Sequence, residues 1–528
     1  MRRRRSPIHT FLIVVGLGLL ASSAGAQPDD ISSTDDIARE SLRFARVYGI
    51  VEQHAVAPVD PGQAILDGGV RGMLATLDPF SSFFDHEQFE LLQQQTRGEA
   101  VGFGSILYLQ PGKILVLQAA RGSPSWRAGL GPGDEIVEVN GTRVNRLALN
   151  ELVDLLRRAR TRPVRLGVIR PGKIVPQDIA LNPARLEMPT VDKSFTLSLG
   201  FGYVHLSSFD QKTTQELFKA IQGLGGSDLK GLVLDLRDNP GGVLDSAIAA
   251  ASMFLPPDVP VLSMRGRNAP DKNYRTLAAP ARFNMPLIVL VNSNTASAAE
   301  VVAAALQEHD RAVIAGEMTY GKGVVESVFS LPENMGLMLT SAQYFTPSGR
   351  SIHRPRSGPA VAVADPASGT TPGTSTSFRT LKGRPLTAGG GIVPDVIIPV
   401  RRLDPWLAFL TQRESFTDFG EEYVTMHRGT ERSFEPDDGV LNDFKEFLQR
   451  KNIRVPEEYW TQDQDYLRTE IKAGILTLVF GLAVGEEVET RDDPQVQKAV
   501  ALLPQVAELL KPAAVKPGLP PSQPAKQQ

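Results

Sequence analysis

The chain has 528 residues, of which 56 are Lys or Arg and 59 are Asp or Glu, with 42% hydrophobic and 22% charged residues and a formal charge of -3. At about 150 residues per domain, this length excludes a single small module and suits three or four domains, while the charge balance offers no basic excess for nucleic acid. The chain has no cysteine, which excludes a disulfide frame, a thiol nucleophile and thiolate metal ligation, so stability must come from packed cores.

Taken in chain order, Met1–Ala26 opens with Arg2–Arg5, continues as an apolar run from Phe11 to Leu20 and closes on Ala24-Gly25-Ala26. This is the pattern of a secretory signal with a small-residue cleavage site. The apolar run is shorter than the roughly 20 residues that a membrane span needs. The expectation is export to a periplasm with residues 1–26 removed and no integral membrane span left; the alternative is an uncleaved anchor that holds the chain on the membrane, facing the periplasm.

Residues 27–95 form a predicted N-terminal helical region, with Ile37, Leu42, Phe44, Val47, Ile50 and Val51 near helical spacing. From 96 to 184 the pattern changes to short apolar runs split by turns, at Ser105–Leu109, Ile114–Gln118, Glu135–Val139 and Val164–Val168, with a helix at Asn150–Arg158. Residues 185–402 alternate strand-like runs, among them Gly231–Leu236 and Pro286–Val291, with helices at Thr214–Leu224, Leu244–Leu255 and Ala296–Glu308. Such alternation marks a sheet covered by crossover helices.

Within that region Pro355–Thr376 reads as an exposed loop. Residues 403–510 return to helix, at Leu441–Leu448, at Tyr466–Ala483 and after the cap Asp493 with Pro494 at the first helical position. Residues 511–528 are Pro- and Gln-rich and read as disordered. The fold class is thus α/β multidomain: a helical N-terminal region, a β-rich module, an α/β core and a helical C-terminal region.

Three stretches could carry chemistry. The apolar strand ending at Val291 runs through Asn292–Ser297 into a helix, which puts Ser297 at a strand-to-helix corner where free N–H groups and the helix dipole favour developing negative charge. Read alone, Ser293, Thr295 and Ser297 could equally be helix caps. A second corner, Arg237-Asp238-Asn239-Pro240-Gly241-Gly242, has paired glycines whose N–H groups can approach a reacting oxygen, or it is an ordinary tight turn.

The third stretch is Gly316–Gly323. It contains G-x-x-x-x-G-K, but Gly323 stands where a phosphate loop needs Ser or Thr for magnesium. The competing reading makes Lys322 a general base for Ser297. An ordinary lysine is protonated at neutrality, and freeing the amine near pH 7 costs about 4–5 kcal/mol, which burial can supply. There is no H-E-x-x-H and no G-x-S-x-G, and the seven histidines show no ligand spacing. His205 reads as a core-edge residue rather than a base.

Together with Leu77-Asp78-Pro79-Phe80-Ser81-Ser82, Tyr344–Ile352 and Gly391-Ile392-Val393-Pro394-Asp395, these stretches resemble the carboxyl-terminal processing peptidases, also called tail-specific proteases, over roughly Asp36–Val400. The resemblance implies a Ser–Lys dyad at Ser297 and Lys322, with oxyanion donors at Gly241, Gly242 and the N–H of Ala298. It implies no metal and no organic cofactor. The module at 96–184 resembles a PDZ domain, with Gly102-Phe103-Gly104-Ser105-Ile106 as carboxylate loop and peptide-binding strand and Ala128–Asp134 as its turn. A peptide adds to such an edge as a strand while backbone N–H groups hold its terminal carboxylate.

One position departs from the family pattern: Glu326 stands where a glutamine usually orients the lysine. On a strand, positions 322 and 326 share a face, so an ionised Glu326 would hold Lys322 charged and the site at rest. Glu326→Gln is expected to keep or raise activity. The implied function is an exported serine endopeptidase acting on C-terminal ends of periplasmic proteins; the alternative is a catalytically silent PDZ-bearing peptide-binding protein. Expected partners are protein and peptide C-termini, with the helices after Leu403 offering a surface for a homo-oligomer or an adaptor protein.

Overall fold

A computed structural model describes residues 34–511, apart from 199, 268–270, 279–282, 355–377, 388–389 and 428. The leader expected at 1–26, the loop expected at 355–376 and all but Lys511 of the tail expected at 511–528 lie outside the described residues.

The core is a six-stranded sheet in the order Val191–Thr196, Phe201–Leu206, Gly231–Asp235, Leu287–Val291, Val313–Gly316, Val396–Ile397. All neighbours are parallel except the first pair. Both central strands are buried along their whole length, so their sequences read as continuous apolar runs, as expected for a parallel sheet covered on both faces. Leu232, Leu234, Leu287, Val289 and Val291 pack with the helices Thr213–Gly223, Leu244–Ser252 and Ala298–Glu308. Val233, Ile288 and Leu290 face the other way, onto Val496, Ala499, Leu502 and Leu503. The last helices of the chain therefore form the second cover of the core sheet.

A second sheet stands beside this one. Its long strand Met335–Phe345 pairs with Val324–Leu331 and also with Ser82–Phe84 and Pro260–Arg265. Ser82–Phe84 interrupts the helical region expected up to residue 95, and helix resumes at His86–Thr96 behind an Asp85/Gln88 capping box. The helix Thr34–His54 forms as its periodicity predicts, but Ile37, Leu42, Phe44, Val47, Ile50 and Val51 are all exposed.

The β-rich module has the strand order Ser105–Gln110, Lys113–Ala119, Glu135–Val139, Val164–Ile169, Gln177–Leu181, with a helix at Leu149–Ala159. The antiparallel ribbon Glu99–Gly102 with Ala184–Glu187 carries the chain into and out of it. The C-terminal helices grip this module: Leu478 packs on Tyr108 and Leu115, Gln110 bonds Asp418 at 2.9 Å, and Lys113 pairs with Glu421. The helix expected over Tyr466–Ala483 is two helices, Gln464–Phe480 and Leu482–Asp492, because Gly481 takes a φ of 102° that breaks the helical path. Among the described residues no helix is long and apolar enough to cross a membrane.

Candidate active site

Three loops meet at the carboxyl ends of the parallel strands, where open α/β sheets place their ligand crevices. Thr295 joins two of them: its Oγ1 donates to Leu236 O at 2.7 Å and accepts from Asn292 N at 2.9 Å. Ala296 N reaches Asn239 O at 2.9 Å. The third loop is tied on by Tyr320 N to Thr295 O at 2.9 Å. Ser297, Gly241 and Lys322 are thereby drawn toward one place.

Ser297 heads the helix Ala298–Glu308 with φ 54° and ψ -118°. A non-glycine residue held there stores on the order of 1–3 kcal/mol of strain, of the kind that clusters at active sites. Its side chain makes no capping bond, so the hydroxyl is not consumed by the helix. The capping is done in the other direction, by Glu300 Oε2 accepting from Ser297 N at 2.9 Å.

Glu300 is fully buried and serves both halves of the site. Besides Ser297 N it accepts from Lys322 N and Gly321 N, each at 2.8 Å, and from Thr319 Oγ1 at 2.5 Å. Burial pushes its carboxyl up and these donors act against that. Burial prevails, so the carboxyl stays above its ordinary value even with N–H donors on both oxygens. Tyr344 makes a second bridge, its single hydroxyl proton shared between Ser297 O, at 3.2 Å, and Lys322 O. Two independent buried groups thus hold the backbones of Ser297 and Lys322 side by side.

On the glycine corner, Gly241 and Gly242 have φ values of 98° and 141°. A Cβ at Gly241 would come within 2.8 Å of Ser297 Cβ and 2.9 Å of Ala298 N. The Gly241 N–H itself is bound to Asn239 Oδ1 at 2.8 Å, which leaves the N–H groups of Gly242 and Ala298 as the donors without that commitment. The strand entering this corner is anchored by Asp235, whose carboxylate takes Arg237 Nε at 2.9 Å and Tyr203 OH at 2.8 Å. Burial acts to raise Asp235, but the Arg237 guanidinium outweighs it and holds the carboxyl below its ordinary value. Arg237 in turn reaches Asp493 at 2.6 Å and Gln495 at 2.7 Å.

Lys322 is 1% exposed, with Nζ 2.6 Å from Glu326 Oε1 and 4.7 Å from the centroid of the Phe80 ring. It makes no hydrogen bond to Ser297 Oγ. His205 lies outside the site, bonded to Asp192 at 2.6 Å and to Arg237 O at 3.1 Å.

In the β-rich module, Ser105–Gln110 is an edge strand, paired among the described residues only with Lys113–Ala119. Gly102, Phe103 and Gly104 lead into it, Gly104 with φ 79° and its carbonyl accepting from Ala120 N at 2.7 Å. Phe103 O accepts from Ser125 N at 3.0 Å, Ser105 Oγ bonds Ser125 Oγ at 2.6 Å, and Ile106 is exposed on the open edge. Sequence reasoning quoted the stretches containing Asp235, Arg237, Glu300 and Tyr344 without giving these residues roles.

A family model described as peptidase family S41 matches residues 200–363, and one described as a PDZ domain matches residues 115–170. Fold and matches together define a serine-type peptidase that carries a PDZ domain. The carboxy-terminal-processing protease of Bartonella bacilliformis is 34% identical over 360 residues, covering 67% of this chain and 82% of that protein. The carboxyl-terminal-processing protease of Synechocystis is 35% identical over 291 residues, covering 54% and 68%. Among solved structures, a photosystem II D1 C-terminal processing protease is 30% identical, covers 59% of this chain and 83% of its own, and superposes with a TM-score of 0.35. The chain belongs to the carboxy-terminal-processing protease family and is a C-terminal processing peptidase.

Proposed function

We propose that this peptidase is exported and acts on C-terminal ends of periplasmic proteins, with Ser297 as nucleophile and Lys322 as its base. Ser297 Oγ attacks the peptide carbonyl, Lys322 takes the hydroxyl proton and returns it to the leaving amine, and the N–H groups of Gly242 and Ala298 hold the oxyanion. The substrate's end adds as a strand along Ser105–Gln110, with its carboxylate at the Gly102–Gly104 loop. The leader-like pattern of residues 1–26 supports export.

The observation that carries this reading is the double bridge of Glu300 and Tyr344, which ties a strained, uncapped serine to a buried lysine. The test is cleavage of a peptide with a free apolar C-terminus by the full chain and by Ser297→Ala and Lys322→Ala. Each variant is expected to lose about a hundredfold or more in kcat/KM. Rates equal to wild type in Ser297→Ala would leave a peptide-binding role alone. Cell fractionation, with N-terminal sequencing for a start at Gln27, tests export.

A further inference from the structure

The pairing of Ser297 with Lys322 leaves one charge without a use. Glu326 follows Lys322 by four residues, in the strand Val324–Leu331, and both side chains are 1% exposed with 2.6 Å between Nζ and Oε1. The two groups stand at ion-pair distance, and no other side chain bonds the Glu326 carboxylate among the described residues. The lysine amine lies over the Phe80 ring, a position that favours a cation. The other titratable groups facing the pair are Asp78 from the segment before Ser82–Phe84, Glu300 from the helix behind, Tyr344 from the neighbouring strand, and His353, which packs on Gly323.

We propose that Glu326 is a latch on the peptidase site: at rest it holds Lys322 as an ammonium turned to Glu326 and Phe80, and the site becomes active when bound peptide excludes water and the lysine proton passes to Glu326. One N–H bond breaks and one O–H bond forms, and the pair stays neutral overall. The freed amine lone pair can then take the Ser297 proton. The transfer replaces two buried opposite charges by two uncharged groups, a change that drying the site favours. Burial already pushes the Glu326 carboxyl up despite the ammonium beside it. The latch rests on the Ser297–Lys322 reading.

The test is the pH profile of kcat/KM from pH 5 to 10 for wild type and Glu326→Gln, with Glu326→Met as the second variant should the amide fail to fold. Removing the anion is expected to raise kcat/KM at pH 7 by about tenfold and to move the acid limb at least about one pH unit lower. An unchanged profile overturns the latch, as does a tenfold loss, which would make the carboxylate itself part of catalysis.

NMR of the full chain carrying 13C-labelled lysine, with Lys322 assigned by its loss in Lys322→Met, reads the charge without relying on turnover. The latch requires an ammonium in wild type at pH 7 that titrates at lower pH in Glu326→Gln. Identical titrations overturn it. A shifted titration in chains that cleave nothing would keep the latch and remove the Ser–Lys chemistry instead.

Discussion

Glu300→Ala removes the group that connects the serine corner to the lysine loop. It leaves the N–H groups of Ser297, Gly321 and Lys322 in a fully buried pocket without their acceptor. Each orphaned donor costs about 1–3 kcal/mol. A water entering the vacated space, and release from keeping a carboxylate dry, offset part of that, so a net loss of about 3–5 kcal/mol is expected. For a cooperative unit of about 200 residues this lowers Tm by roughly 6–20 °C.

Activity should fall further than stability alone explains, because the serine and the lysine lose their common reference. Glu300→Gln should fail in a graded way: both carboxylate oxygens receive N–H donors, so one of them must then face an NH2 group. Thermal unfolding and peptide cleavage, measured on the same preparations, check both effects. A Glu300→Ala chain within 1 °C of the wild-type Tm and within about twofold in kcat/KM would refute the bridging argument.

Tyr344→Phe deletes the other bridge and should lower kcat while leaving KM near wild type; a raised KM with kcat unchanged would place the tyrosine in substrate binding instead. Gly241→Ala should abolish cleavage, because its Cβ would lie 2.8 Å from both Ala296 O and Ser297 Cβ at a φ of 98°; near-normal rates would show that the corner can move aside. Glu470, half-buried near Glu489, is pushed up to about 7 by desolvation first and by that neighbouring charge second. Raised above its ordinary value of 4.5, the carboxyl favours folding while protonated, so this contribution is complete below about pH 4.5 and is lost as pH rises through 7. Unfolding between pH 4.5 and 8 should show up to about 3 kcal/mol of pH-dependent loss in wild type that Glu470→Gln lacks, and parallel curves would contradict it.

The elements most legible in the sequence were those whose environment is uniform along their length. Leu287–Val291 reads as a buried strand because both its faces meet apolar layers, and the helix after Asp493 reads correctly because Asp493 and Pro494 carry its start signals locally. What escaped depends on distant partners. Ser82–Phe84 is a strand because Met335–Phe345 lies beside it, some 250 residues away, and no local periodicity reports that. The break at Gly481 was hidden in an apolar stretch in which a single glycine is tolerated, until its φ made it a corner. The role of the final helices as the second cover of the core sheet was equally illegible, since an apolar helical face does not say what it will pack against.

The same division runs through the site. Ser297, Lys322 and the two glycines stand out because chain corners after buried strands must present particular residue types, whereas the 322/326 relation was read from strand alternation although Lys322 precedes the strand Val324–Leu331 and a bulge between Val325 and Glu326 breaks that alternation. The contact of Lys322 with Glu326 is buried under the shelter of Phe80, which the sequence could not place. Glu300 sits in plain sight three residues after Ser297, where a helix-start carboxylate is the ordinary expectation. Only the fold turns that cap into a joint, by bringing Thr319, Gly321 and Lys322 to its other lone pairs. A residue that satisfies a local rule can therefore hide a long-range task, whereas Glu326, which satisfies no local need, announces itself as a departure. Perturbing Glu300 should accordingly cost both stability and rate, while perturbing Glu326 should act chiefly on the charge of one amine, and the contrast between the two variants separates the scaffold of this site from its control.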